Sequence, residues 1–465
     1  MVGESKLKVI ANKVLRMCTA SECEVLLFVT DHGLTRFANS QIHQNVAYED
    51  LGISVRVILH DSTSEVSKSR RKFTSEVSKG ARIGVASTNS FDPKLLRDVV
   101  KRAENLAKIN KVDPHFKSLP KKSKYSKVEQ SVYEASADAR ANAVAEIIRQ
   151  AKSEKITASG AYDTVVTEVA VANSHGLWAY HSGSAADLST ILMGATSTGF
   201  AGQVGKRIED IDVVAVGARA VAKVETGKNP ITVKPGEWEV ILEPQAVNEM
   251  MAFFAWLGPN ARIYHEQASN FSGKLGQKVM GKNITIMDDP LNSQGFPMPF
   301  DFEGYPKSKL EIVGDGVFKN VVYDSYHAAK FKAKNTGHAL PAPNIGGPMP
   351  LHLTFKIGKK SLEEMIKSVK KGLLVTRLWY VRVLNPRTLS ITGMTRDGTF
   401  LIRNGKIVRG VKNMRFNQSI PDALSNVVQV GRDALPLSSM ELEIGANIMP
   451  PLHIKRWNFT SGTEF

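Results

Sequence analysis

The sequence predicts an α+β protein. Stretches with apolar residues at helical spacing stand beside stretches that alternate apolar and polar residues, which is the period of a strand. Beyond Ile231, glycine and proline recur between short apolar runs, which favours strands and turns. We therefore expect an N-terminal α+β domain over residues 1–120, a central linker with helices and a β-meander over 121–230, and a β-rich C-terminal domain over 231–465.

The N-terminal domain is expected to begin with an amphipathic helix and to continue with strands. Apolar residues recur at helical spacing between Lys6 and Met17. Four apolar or alternating stretches are the strand candidates: Cys23–Thr30, Leu34–Asp50, Leu51–Leu59 and Ala81–Thr88. Asp92 then stands before Pro93 as a capping residue, and one apolar face from Leu95 to Ala107 predicts a helix.

A basic stretch at residues 117–127 contains proline and serine and is typical of a solvated linker. After it, the spacing predicts a long helix over Ala135–Ile156. Asn173–Gly176 reads as a turn between two strands, with a third strand following, so we expect a meander. A helix over Asp210–Thr226 is expected to end at Gly227.

In the C-terminal domain, short apolar runs such as Trp238–Glu243 and Asn283–Asp289 predict strands. Only Glu243–Leu257 and Ser361–Gly372 have the pattern of helices. Ser361 is suited to cap the second of these, because acidic residues follow it and lysines precede Gly372, an order that matches the helix dipole.

Composition excludes several classes of protein. The fractions of apolar and charged residues, 42% and 23%, are those of a folded globular chain. Two cysteines, Cys18 and Cys23, are too few for a disulfide framework or a Cys-rich zinc site. The longest apolar stretches are interrupted by lysine and arginine, and the first ten residues lack the pattern of a secretory signal, so we expect a cytoplasmic protein without a membrane partner. The net charge of +16 comes without any nucleic-acid-binding motif, so we expect no nucleic-acid partner.

Motifs for known chemistries are absent. His265-Glu266 lacks the second histidine four residues on that a zincin helix needs, since position 269 is serine. No G-x-S-x-G elbow and no phosphate-binding glycine loop occurs, and Gly314–Gly316 is explained by a turn. Asp288-Asp289-Pro290 is either a pair of carboxylates or a turn that ends a strand.

Several strings, in order along nearly the whole chain, resemble the TldD/PmbA (TldE) family of metallopeptidases. They are TRFANSQIHQ from Thr35, GISVRV from Gly52, GVASTN from Gly84, SNFSGKLGQKV from Ser269, ITIMDDP from Ile284, the stretch Phe302–Lys330, NTGHA from Asn335 and EEMIKSVKKGLLV from Glu363. The resemblance implies a protein that acts on small or unfolded peptides.

The sequence departs from the catalytic members of that family at their zinc ligands. Those members carry His-Glu-x-x-x-His on a helix, which by its spacing from Ser269 falls at Ala252–Leu257, and this stretch reads AFFAWL. The C-terminal stretch Glu441–Lys455 lacks the family's cysteine ligand. The resemblance is therefore to the PmbA/TldE branch, which implies no catalytic residue, no metal ligand and no cofactor in this chain, and zinc only in a TldD-like partner. We expect Phe253, Phe254 and Trp256 to be core residues.

The leading hypothesis is a non-catalytic subunit that assembles into a homo- or hetero-oligomer with a TldD-like metallopeptidase and contributes to a peptide chamber. Candidate peptide-contacting residues are Tyr264, His265, Ser272, Gly273, Tyr326, His327 and His338. One alternative is an independent hydrolase that uses His265, Asp324, His327 and His338. Another is a basic binding or scaffold protein.

Overall fold

The computed structural model of the chain describes residues 1–60, 80–128, 130, 132–438 and 445–463. In these ranges the chain forms helices and three sheets, which confirms the α+β class. None of the described helices combines the length and apolarity required to cross a bilayer.

The first part of the chain builds one antiparallel sheet, in the order β3-β2-β1-β4-β5-β6. Its helices and strands are α1 (Glu4–Met17), β1 (Glu22–Ala38), β2 (Gln41–His60), β3 (Ala81–Thr88), α2 (Pro93–Ile109), α3 (Ala137–Ser153), β4 (Thr157–Asn173), β5 (Trp178–Met193), β6 (Thr198–Gly205) and α4 (Val213–Gly227). The predicted helices and meander are all present. β1 pairs with β4 along its length, so strands from both sides of the predicted boundary at residue 120 share this sheet.

Local sequence explains how these elements begin and turn. The β1–β2 hairpin closes through Asn39 and Ser40, whose φ values of 51° and 56° are those that a two-residue hairpin turn needs. Asp92 caps α2 by accepting hydrogen bonds from two backbone amides, with Pro93 at the first helical position. One face of the sheet packs against the four helices, whereas residues such as Leu26 and Val171 on the other face join the core of the C-terminal part.

The rest of the chain forms two further sheets around a large core. The elements are β7 (Gly236–Leu242), α5 (Pro244–Leu257), α6 (Ala261–His265), β8 (Ile286–Asp288), β9 (Leu310–Gly314), β10 (Val317–Phe318), α7 (Ser325–Phe331), β11 (Leu353–Phe355), α8 (Leu362–Lys367), β12 (Lys371–Asn385), β13 (Ser390–Arg403), β14 (Lys406–Gly410), β15 (Met414–Ser419), α9 (Ile420–Ser425), β16 (Val427–Val430), β17 (Leu435–Ser438), β18 (Ala446–Met449) and β19 (Leu452–Gly462). The second sheet has the order β10-β9-β8-β11-β18-β17. The third runs β12-β7-β19-β15-β13-β14, with β16 beside β19 and β12 also paired to β13.

Two predictions about helices in this part were wrong in detail. The helix predicted over Ser361–Gly372 ends at Lys367, although Ser361 and Glu364 form the expected capping box. Lys371 already begins β12, because the next residues pair in parallel with β7 and Gly372 lies against its backbone. The short helices α6, α7 and α9 were not predicted, since five to seven residues are too few to show a helical period.

Strand β8 ends at Asp288 and the predicted turn follows it, with the Asn292 amide donating to the Asp289 carbonyl. Asp315-Gly316 forms the predicted turn between β9 and β10. Of the C-terminal stretch compared with the family, residues 441–444 lie outside the described residues; from Ala446 it forms β18 and β19.

Candidate functional site

Two short helices bring most of the predicted peptide-contacting residues together. Asn260 caps α6 by accepting a hydrogen bond from the Ile263 amide, and the Ala261 amide donates to the carbonyl of Val322, just before α7. Asp324 caps α7 by accepting from the His327 amide at 2.7 Å. The hydrogen bond between Ala261 and Val322 joins the two segments. It places His265, at the end of α6, against residues of α7 that are about 60 positions away in sequence.

His265 packs against an aromatic ring and a phenol. Its ring stacks on Phe331 with centroids 3.8 Å apart, and its Nε2 lies 2.9 Å from the hydroxyl of Tyr323. Burial and the neighbouring His327 both lower the pKa of His265. A lowered pKa favours the neutral imidazole, which can both donate and accept a hydrogen bond and has a flat face for stacking.

His327 is buried and is oriented by a carboxylate. Its Nδ1 lies 2.8 Å and 3.0 Å from the two oxygens of Asp324. An Asp-His pair of this kind orients a general base in hydrolases that use a serine nucleophile. Within the described residues, however, the hydroxyl of Ser272 donates to the carbonyl of Tyr264 and that of Ser325 accepts from Asn335, so neither is hydrogen-bonded to the ring.

We call Tyr323, Asp324, His327, Phe331 and His265 the histidine cluster. Tyr264 borders it, with its ring edge-on to His265 at 5.1 Å, and Ser272 is tied to Tyr264 by a 2.8 Å hydrogen bond. Gly273 follows at an exposed turn with φ +72°. Tyr326 also borders it, with its ring edge-on to His327 at 5.0 Å, and it packs in addition against the small core cluster of Ile58, Ala81, Phe116 and Leu119.

His338 lies beneath the histidine cluster and is connected to it through Thr336. The threonine hydroxyl is 2.9 Å from His338 Nδ1 and donates to the Tyr323 carbonyl at 3.1 Å. His338 Nε2 lies 3.2 Å from Asp288, and both side chains are fully buried. His338 is therefore inaccessible to a peptide and can act on the site only by supporting Tyr323.

Asp288 is the centre of a buried group of charges rather than a simple turn residue. It accepts a hydrogen bond from the His352 amide at 2.8 Å, and Lys307 Nζ lies 3.2 Å from His352 Nδ1. Burial alone would raise the pKa of Asp288, but Lys307 and His338 outweigh it and hold the pKa below its usual range. These ionic contacts hold His338 in place beneath the histidine cluster.

Helix α5 carries the positions at which the family resemblance places a zinc motif. Ala252 and Phe253 are half-buried and Leu257 is buried, so no side chain there offers a metal ligand. In the described part of the chain, no group of three or more His, Cys, Asp or Glu residues has an arrangement that could hold a metal ion. The side chains on α5 therefore do not fit zinc.

The expectation that all three aromatic residues of α5 are core is confirmed for Phe254, holds only in part for Phe253, which is half-buried against the core, and is wrong for Trp256. Phe254 is fully buried and packs edge-on against Phe271, whereas Trp256 is 46% exposed. Trp256 falls seven residues, or two helical turns, after Glu249, so it lies on the polar-facing side of α5 rather than on the core side.

Sequence reasoning missed a second polar site, a cavity on the side of α5 that carries Glu249. Asp187 of β5, Glu249 of α5 and Arg377 of β12 line one cavity of about 250 Å³. Glu249 was the available signal, because it is the only charged residue of helix α5. Asp187 and Arg377 gave none, since they lie on strands remote in sequence.

Comparison with known proteins gives the family. Residues 117–227 match the PmbA/TldA metallopeptidase central domain, and residues 235–461 match the PmbA/TldA metallopeptidase C-terminal domain. Metalloprotease PmbA of Escherichia coli O157:H7 is 24% identical over 392 residues, covering 80% of this chain and 83% of that protein. A Metalloprotease TldD homolog of Buchnera aphidicola is 26% identical over 215 residues, covering 45% of this chain and 41% of that protein.

The fold agrees with this assignment. The crystal structure of TldE from Thermococcus kodakarensis superposes with a TM-score of 0.84 at 22% identity, covering 98% of this chain and all of that one. The two domain matches together span more than half of the chain. The chain therefore belongs to the PmbA/TldD family of metallopeptidases, as its sequence strings predicted.

Proposed function

We propose that this chain is a non-catalytic, TldE-like subunit that pairs with a TldD-like metallopeptidase and forms part of a chamber for small or unfolded peptides. The observation that carries the proposal is the chemistry of α5. The positions that correspond to the family's two histidines and glutamate are Ala252, Leu257 and Phe253, none of which can bind a metal or activate water.

Exposed aromatic residues support the proposed pairing. Trp256 is 46% exposed, and Trp379 and Tyr380 on β12 are 43% and 65% exposed. Large aromatic side chains are enriched at protein interfaces, where their area is buried in the complex. The relatives include one named PmbA and one named TldD homolog, so the family contains two kinds of member that could pair.

The histidine cluster supports the peptide-chamber part of the proposal. It offers a flat stacking surface at His265 and Phe331, the phenol of Tyr323, and the exposed backbone at Gly273. These groups suit contact with an extended peptide through stacking and hydrogen bonds. Zinc is expected in the partner, and no cofactor is expected in this chain.

The test is reconstitution. The isolated chain, a TldD-like paralogue from the same genome and the mixed pair are each assayed for cleavage of an unfolded peptide, and complex formation is followed by size-exclusion chromatography with light scattering. We expect a complex and cleavage that depends on the paralogue. A strictly monomeric chain that fails to capture the paralogue would count against the proposal.

One observation favours a second function, that of an independent hydrolase. The buried His327–Asp324 pair has the geometry of a general base and its orienting carboxylate. The matched variants His265→Ala and His327→Ala separate the two functions. We expect cleavage by the reconstituted pair to persist in both variants, with a raised KM for the peptide rather than a lost kcat, because the histidine cluster is proposed to contact the peptide and not to catalyse its cleavage. Cleavage by the isolated chain that either variant abolishes, without loss of folding, would establish the hydrolase instead.

A further inference from the structure

The cavity beside α5 lies between the two halves of the fold. One wall is the face of the first sheet that is turned away from its helices, with Asp187 and Ser189 of β5 and Gly202 of β6. The opposite wall is formed by α5, β12 and β17, including Glu249 and Arg377. No residue of the histidine cluster lines this cavity, so it is a separate place in the structure.

Arg377 has an unused hydrogen-bond donor in this cavity. The residue is only 8% exposed, and its guanidinium carbon lies 4.6 Å from the ring centroid of Phe200 and 4.7 Å from that of Trp379. These cation–π contacts hold the side chain in place. Its Nε has no hydrogen-bond partner among the described residues, and the carboxylate of Asp397 is 3.8 Å from Nη1. A buried donor without a partner is costly, so a ligand oxygen here would be stabilised.

The acidic groups of the cavity outnumber its cation. Glu249 accepts hydrogen bonds from the Gln245 side chain and the Leu378 amide, whereas Asp187 has no hydrogen bond or ion pair within the described part of the chain. Burial raises the pKa of both carboxyl groups to about 7, and Asp163 on the adjacent strand adds to this for Asp187. Arg377 is the one cation among the described lining residues. A cationic ligand group beside the two carboxyl groups would favour their charged forms.

We propose that this cavity binds the N-terminal end of a short peptide, with the α-ammonium group at Asp187 and Glu249 and a main-chain carbonyl oxygen on Arg377 Nε. A peptide N-terminus carries these two groups side by side: three N–H donors for the carboxylates and an acceptor for the arginine. The volume of about 250 Å³ is at the small end of ligand pockets and suits only the first residues of a peptide.

The cavity also lies close to the part of α5 at which the catalytic members of the family carry their zinc motif. Glu249 precedes Phe253 by four residues, which is one turn on the same face of α5. The source of peptides for this cavity rests on the proposed function, but their binding needs only this chain.

The experiment measures binding to the isolated full chain by isothermal titration calorimetry. Three probes are compared: trialanine amide with a free N-terminus, its N-acetylated form, and N-acetyl-lysine amide, which offers only a side-chain ammonium group. We expect trialanine amide to bind and the acetylated peptide to bind at least about tenfold more weakly, because an ion pair in a buried site is lost. No binding of trialanine amide, or equal binding of the acetylated peptide, would overturn the proposal, as would preferred binding of N-acetyl-lysine amide.

Variants locate the binding to this cavity. Asp187→Asn removes a buried charge without a described partner, so it should fold, and we expect at least about a tenfold loss of affinity for trialanine amide. Arg377→Lys keeps the charge but lacks Nε–H, and it should also weaken binding. The matched control is Asp315→Asn, which changes a carboxylate in a different cavity and should leave affinity unchanged. Unchanged affinity in Asp187→Asn would refute the site.

The same variants distinguish this inference from the proposed function. Capture of the TldD-like paralogue is measured with Asp187→Asn and should be retained, since the side chain lies in the interior of this chain. A chain that binds trialanine amide but captures no paralogue would sink the proposed function and leave the peptide site standing. A chain that captures the paralogue but binds no trialanine amide would overturn the peptide site and leave the proposed pairing standing.

Discussion

Replacing single aromatic residues of α5 tests whether this helix is a packing element with one exposed edge. Phe254 is fully buried and its ring meets Phe271 edge-on at a centroid distance of 5.8 Å. Its replacement by alanine leaves a cavity in the largest core cluster and should lower the free energy of unfolding by about 3 to 5 kcal/mol. Trp256 is 46% exposed, so its truncation leaves no closed cavity and should cost only about 1 kcal/mol.

The two variants are compared by urea denaturation of the isolated chain, with equal m-values taken as the sign that both unfold from the same compact state. We expect the midpoint of Phe254→Ala to fall well below that of Trp256→Ala. Trp256→Ala should, in contrast, weaken capture of the TldD-like paralogue. Equal destabilisation by the two substitutions would refute the orientation of α5, and undiminished capture would remove Trp256 from the proposed interface.

Two further predictions concern charge. Burial raises the pKa of Asp187 from 3.8 to about 7, so between these pH values the folded state holds a proton that the unfolded state has lost. This group alone should make the free energy of unfolding fall by up to about 1.4 kcal/mol per pH unit as pH rises from about 4 to 7, and Glu249, whose pKa is also raised to about 7, should add a similar slope. Asp187→Asn should therefore reduce the slope measured by urea titrations at several pH values without abolishing it. Arg56 is buried and bonds Glu24 at 2.8 Å and Glu303 at 2.9 Å, which ties the first sheet to the C-terminal part; Arg56→Met should therefore destabilise the chain by about 3 to 5 kcal/mol in thermal or chemical unfolding, and a change below about 1 kcal/mol would show that the two carboxylates find other partners.

Much of the fold could be predicted because its elements are long and strongly patterned. α2 and the strand Ala81–Thr88 follow directly from capping residues, proline and apolar spacing. The short helices α6 and α7 depend instead on tertiary contacts, such as the bond from the Ala261 amide to Val322, which leave no period in the sequence. The same is true of the end of α8, where pairing with β7 overrides a helical pattern.

The candidate site could be predicted only in its residue types. His265 and His327 were named as candidates, but their shared contact with Phe331 comes from the hydrogen bond before α7, not from any spacing. Aromatic character alone predicts that Trp256 is a core residue, whereas its position two helical turns after Glu249 puts it on the same side of α5 as that glutamate. Asp187 and Arg377 are ordinary strand residues in the sequence, and only the packing of the first sheet on α5 brings them together.

The most direct test of the central claim is to measure zinc content and peptidase activity for each subunit and for the reconstituted pair. This chain, the TldD-like paralogue and their purified complex are each analysed for tightly held zinc after mild chelation, and each is assayed with the same unfolded peptide. We predict that zinc follows the paralogue, that this chain alone holds none in stoichiometric amount, and that the complex cleaves the peptide. About one retained zinc per isolated chain, together with cleavage in the absence of the paralogue, would contradict the claim that α5 is a packing helix without a catalytic role.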